Sequence, residues 1–130
     1  MKSFLALIQK DDDSAYGISF PDLPGCFSAA DEERDILSNA AEALELWFED
    51  EPMREPRYLR DIAAEMAEEL AAGAFLIAVP YIRRTSRQRR VNVSFDTGTL
   101  DAVDMAAKQL GLTRSGFLAM AALNEIKGAH

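Results

Sequence analysis

Residues 20–26 read Phe20-Pro21-Asp22-Leu23-Pro24-Gly25-Cys26 (FPDLPGC). This stretch has to turn. Its two prolines carry no backbone donor for a sheet ladder, and Gly25 can take the positive φ that closes a reversal. The segments on either side then read as strands. Tyr16–Phe20 (YGISF) alternates apolar and polar positions before the turn, and Cys26–Ala30 runs out of it. Upstream, Ser3–Gln9 (SFLALIQ) is a short apolar run. The polar Asp11-Asp12-Asp13-Ser14 separates it from Tyr16, so residues 3–20 form a hairpin.

Downstream the periodicity changes from two to 3.6. Ile36, Leu37, Ala40, Leu44, Trp47 and Phe48 fall on one helical face. Asp31 is the expected N-cap, with Glu32, Glu33 and Asp35 near the positive end of the helix dipole. Pro52 and Pro56 end that helix. Leu59, Ile62, Met66 and Leu70 mark a second one, which stops at Gly73. Ala74–Val79 (AFLIAV) is continuously apolar and reads as a buried strand. The first eighty residues are therefore expected to run β-β-β-α-α-β.

Residues 81–90 (YIRRTSRQRR) hold five arginines and no acid, and read as a basic linker. Val91–Phe95 (VNVSF) alternates cleanly, with Val91, Val93 and Phe95 on one face and Arg90, Asn92 and Ser94 on the other. Asp96 or Thr97 opens a helix carrying Leu100, Val103, Ala107 and Leu110, and Gly111 stops it. Thr113 opens a last helix that is apolar almost all round. One strand and two helices cannot bury such a surface alone, so this β-α-α unit is expected to exist as a dimer.

Charge divides the chain in the same place. Residues 1–80 hold six Lys/Arg against eighteen Asp/Glu, a net charge of −12. Residues 81–130 hold eight Lys/Arg against four Asp/Glu, a net charge of +4. Two partners of opposite charge fit this division.

Several function classes are disfavoured. No internal histidine exists, since His130 is the only one and reads as part of a frayed end, so no Ser-His or Cys-His pair can form. Cys26 is the only cysteine, too few for a disulfide or a metal site, and it suits a reducing cytoplasm. No glycine-rich phosphate loop occurs. No apolar run is long enough to span a bilayer, and MKSFLALIQKDDD turns acidic too soon for a secretory leader. Neither a cofactor nor a metal is expected, and the chain does not read as an enzyme.

Two resemblances sharpen these expectations. A basic lead-in, an alternating strand and Gly111-Leu112-Thr113-Arg114-Ser115 before the final helix are similar to a ribbon-helix-helix domain. Strands from two subunits pair in that family and enter the DNA major groove. The resemblance implies base contacts from Arg90, Asn92 and Ser94. It also implies phosphate contacts from Thr113, Arg114 and Ser115 at a helix start, and from Arg83, Arg84 and Arg87 in the linker.

The FPDLPG turn between strands, followed by a helix bearing Ala40-Ala41-Glu42-Ala43-Leu44, resembles the HicB antitoxin family. That likeness implies a partial ribonuclease H-like fold over residues 1–80, within an α+β chain. It implies a HicA-like messenger-RNA-cleaving toxin as partner, with Asp11, Asp12, Asp13, Tyr16, Asp22 and Glu33 as candidate toxin contacts. Residues 91–130 would then be the ribbon-helix-helix unit, holding operator DNA as a homodimer or tetramer. A ribonuclease H site needs clustered carboxylates for two metals, one of them on the first strand, and SFLALIQ has none. Phe20 and Leu23 are expected to pack rather than to recognise. Two other readings remain open on the residues alone. One is a stand-alone DNA-binding regulator with an N-terminal sensing domain, the other an active nuclease.

Overall fold

The computed structural model describes residues 1–84 and 87–128. His130 and part of the 81–90 linker lie outside the described residues. The chain forms two compact units, one centred on Met1–Arg83 and the other on Arg84–Ile126.

The first unit holds β1 (Lys2–Gln9), β2 (Tyr16–Ser19), β3 (Phe27–Ala30), α1 (Ile36–Phe48), α2 (Leu59–Glu65), α3 (Ala67–Ala71) and β4 (Phe75–Tyr81). The four strands form one antiparallel sheet in the order β3-β2-β1-β4. Alternation sends Phe4, Ala6 and Ile8 of β1 to one face. Together with Ile18, Phe20 and Val79 they pack in the core with Ile36, Ala40, Ala41 and Leu44 of α1. Fully burying a side chain such as Phe4 or Leu44 contributes about 1.5–3 kcal/mol. Phe48 closes the end of this layer, stacked on Tyr81 at 4.4 Å between ring centroids and tilted on Phe4 at 5.3 Å.

Three local expectations need correction. Asp31 does not cap α1. A 3-10 turn, Glu33–Asp35, precedes the helix, and the cap position falls on Asp35 with no side-chain cap bond. The second helix is two, broken at Met66, whose ψ of 21° leaves the helical range. Ala74–Val79 is not the buried strand expected of it. β4 lies at the sheet edge and only Val79 in it is buried. A continuous apolar run cannot tell these positions apart, but Pro80 could have, since proline is tolerated at edges.

The second unit holds α4 (Thr97–Gln109) and α5 (Arg114–Lys127). Asp96 caps α4, its Oδ2 accepting from the Thr99 amide at 3.0 Å. Gly111, at φ 69°, ends the helix in the left-handed region. Thr113 caps α5, its Oγ1 accepting from the Gly116 amide at 3.0 Å. Arg114 binds Asp104 through two bonds of 2.8 Å and so ties the two helices together.

Val91–Phe95 carries no regular secondary structure within the single chain, against the expected strand. A strand exists by its ladder, and among the described residues nothing pairs with this segment. Val91 and Val93, which alternation puts on one face, are 69% and 68% exposed in the single chain. Ala107 is the one buried residue of α4, and α5 buries none.

Candidate partner-binding and nucleic-acid interfaces

The FPDLPG motif folds as two consecutive turns. Leu23 N donates to Phe20 O and Cys26 N to Leu23 O, both at 3.0 Å, with Gly25 at φ 84°. Phe20 and Leu23 are buried, as expected for a packing role, and Cys26 is buried too. Burial pushes the Cys26 thiol up to about 11. The motif is held from outside as well. Trp47 Nε1 donates to Pro24 O at 3.0 Å, and Arg54 lies over the Trp47 ring at 5.0 Å. Asn39 ties α1 to β3 by donating to Ala29 O at 2.9 Å.

Asp22, one of the toxin contacts that the family likeness implies, is engaged within the chain. Its Oδ2 accepts from the Arg57 amide at 3.0 Å, and its Oδ1 pairs with the Arg57 guanidinium. Arg57 also reaches Glu65 on α2 at 2.7 Å. These bonds raise the Arg57 pKa further above its ordinary value. The sequence offered no signal for this pairing, because 35 residues separate the partners.

The other acidic candidates are free of such a clamp. Asp11, Asp12 and Asp13 are exposed at the β1–β2 tip, and Glu33 is exposed in the 3-10 turn. Tyr16 is half-buried against the α1-side core, with Lys10 Nζ 5.6 Å from its ring centroid. The structure brings the tip residues together with Tyr16, and Glu33 lies on the segment after β3.

In the second unit, Arg90, Asn92 and Ser94 are exposed on consecutive alternate positions. Arg83, Arg84 and Arg87 are exposed ahead of them. Thr113 and Ser115 sit at the start of α5, also exposed. Arg114 stands there too, but its guanidinium is taken by Asp104, which holds that carboxyl below its ordinary range. Among the described residues no group of three His, Cys, Asp or Glu could hold a metal ion. No described helix is long and apolar enough to cross a membrane.

An acidic sheet-and-helix unit followed by a basic two-helix unit makes a mixed α and β chain whose two parts carry opposite net charge. A family model described as a HicB-like antitoxin of bacterial toxin-antitoxin systems matches residues 4–122. The chain belongs to this family. It is 30% identical to the antitoxin HicB of Burkholderia pseudomallei, whose crystal structure aligns over the whole of both chains with a TM-score of 0.54. It is 26% identical to a chain of the HicA3 and HicB3 toxin-antitoxin complex, covering 62% of this chain and 99% of that one, with a TM-score of 0.50. UPF0150 protein Ta0767 of Thermoplasma acidophilum is 32% identical over 63 residues, which is 48% of this chain and 91% of that protein.

Proposed function

We propose that this chain is a non-catalytic antitoxin. Its residues 1–80 bind and silence a HicA-like ribonuclease toxin, and its residues 91–130 form a dimeric ribbon-helix-helix unit on operator DNA. The linker 81–90 adds phosphate contacts, and the outcome is repression of its own operon in the cytoplasm. The observation that carries the reading is the net charge of −12 over residues 1–80, in a chain of an antitoxin family. A toxin that cuts RNA needs a cationic surface for phosphates. An acidic unit covers that surface and speeds association through steering.

Asp11, Asp12, Asp13, Glu33 and Tyr16 are the proposed toxin contacts. Asp22 serves them indirectly, by fixing the turn. The kinship with a truncated ribonuclease H fold belongs to the same reading: a sheet backed by a helix is kept for binding, while β1 carries no carboxylate for a catalytic metal.

The exposed apolar side chains of Val91, Val93, Phe95 and Met105 support dimerisation, since a single chain leaves them to water. Pairing of two VNVSF segments would turn Arg90, Asn92 and Ser94 outward together. Two such dimers joining would give the tetramer. The test is co-expression of the full chain with a HicA-like toxin. Restored growth and co-purification are expected. Persistent toxicity in the presence of soluble, folded chain rejects the proposal.

A further inference from the structure

The sheet has a second face, opposite α1, and it is covered only in part. Strand register places Phe27, Ser19, Leu7 and Leu76 in one row across it, and Ala29, Gly17 and Gln9 in the next. Leu7 is buried, yet Phe27 in the same row is 71% exposed. The cover therefore stops short of β3. Beyond it the floor is made of small side chains, with Gly17 and Ala29 exposed and Ser19 half-buried. A shallow hollow lined by Gln9, Lys10, Asp11, Ser14, Ala15 and Gly17 continues this floor toward the hairpin tip, with the Lys10 ammonium turned onto the Asp11 and Asp12 carbonyls. Ala30 pairs with Tyr16, so Asp31 leaves β3 at the same end as that tip. β3 is moreover an edge strand, only four residues long, with one side unpaired.

We infer that this open half-face, with Phe27 as its apolar anchor and Asp11 and Asp31 at its acidic end, is where the cationic toxin docks. The inference rests on the antitoxin reading and narrows it, since Tyr16 packs on the α1 side and lies off this face. Charge selects the occupant. A net charge of −12 repels a second copy of this unit, nucleic acid and anionic membranes alike, and attracts a basic protein. A lone exposed aromatic beside glycine, alanine and serine has the form of an interface anchor, since its neighbours leave room for an inserted partner side chain. The free backbone of β3 adds donors and acceptors beside the anchor.

The test is calorimetric titration of the full chain with a catalytically inactive HicA-like toxin. Phe27→Ser and Ala29→Arg are expected to raise Kd at least tenfold, with the melting curve unchanged because both side chains are exposed. Asp31→Lys should raise Kd and reduce its salt dependence. Phe75→Ser, which removes an exposed aromatic from the opposite edge strand, should leave Kd within twofold. Kd values within twofold of the parent for both Phe27→Ser and Ala29→Arg overturn the docking surface while leaving the antitoxin function standing. Equal losses for Phe75→Ser and Phe27→Ser overturn it too. A parent chain that does not bind the toxin overturns both. Should Phe27→Ser fail to fold, Ala29→Arg and Asp31→Lys decide the question.

Discussion

Arg57 grips Asp22 twice, once through its backbone amide at 3.0 Å and once through its guanidinium, and so fastens the FPDLPG turn to the segment that leads into α2. The Asp22 side chain is 7% exposed and that of Arg57 42%. Asp22→Ala is expected to cost about 1–2 kcal/mol, discounted from the usual range for hydrogen bonds to charged groups because solvent screens the exposed partner. Denaturant melting measures this. Toxin affinity of the folded variant should stay near that of the parent. A large affinity loss at unchanged stability would return Asp22 to the contact surface.

The DNA proposal separates two kinds of residue. Asn92→Ala should cost about 1–3 kcal/mol on the operator and little on scrambled DNA, since a mid-strand amide reads adenine bidentately. Replacing Arg83, Arg84 and Arg87 by alanine should weaken both DNAs alike and flatten the salt dependence. Titration of each variant against both DNAs at several salt concentrations distinguishes the patterns. An Asn92→Ala dimer with intact preference shows that the segment does not read bases.

Dimerisation is expected to rest on the second unit. Val93→Glu puts a charge on the alternate positions that also hold Val91 and Phe95. Sedimentation should show the variant as monomer where the parent is dimer, with operator binding lost and toxin binding kept. An equally dimeric variant would show that the first unit can associate by itself.

Cys26 gives a pH signature. Its thiol donates toward Ala43 O at 3.6 Å and sits among apolar side chains. Its folded pKa, about 11, lies above the ordinary 9.0. The stabilisation is fully present below pH 9 and is lost as pH rises toward 11, because the unfolded thiol ionises first. Cys26→Ser should shrink the fall in stability across that window. The parent thiol should react with an alkylating reagent at pH 8 only as fast as the chain unfolds. Rapid labelling of the native protein would contradict the burial.

Local rules reached the turn, the first hairpin, α1 and both caps of the second unit, because proline, glycine, alternation and helical spacing act within a few residues. They put one helix start at Asp96 or Thr97 and the other at Thr113, and the caps fall on Asp96 and Thr113. They failed where a partner lies far along the chain. Nothing near Asp22 announces Arg57, and nothing in Ala74–Val79 tells an edge from a centre except the proline just after it. Phe27 was within reach. In Cys26–Ala30 it has the opposite parity to the buried Cys26 and Ala30, so alternation already turns it away from the core. Val91–Phe95 was legible as a strand only on the premise of a second chain, and the single chain accordingly leaves it without a ladder.

The edge position of β4 has a cost in solution behaviour. Phe75-Leu76-Ile77-Ala78-Val79 is the kind of apolar segment that templates cross-β growth when its outer rim is free. Pro80 interrupts that rim, for a strand cannot be extended through a nitrogen that bears no hydrogen, and its ring blocks close approach. The run of arginines that follows in the sequence adds like charge just after it. Resistance to fibril formation in this small unit thus depends on an imide and a basic tail, both standing just past the segment they guard.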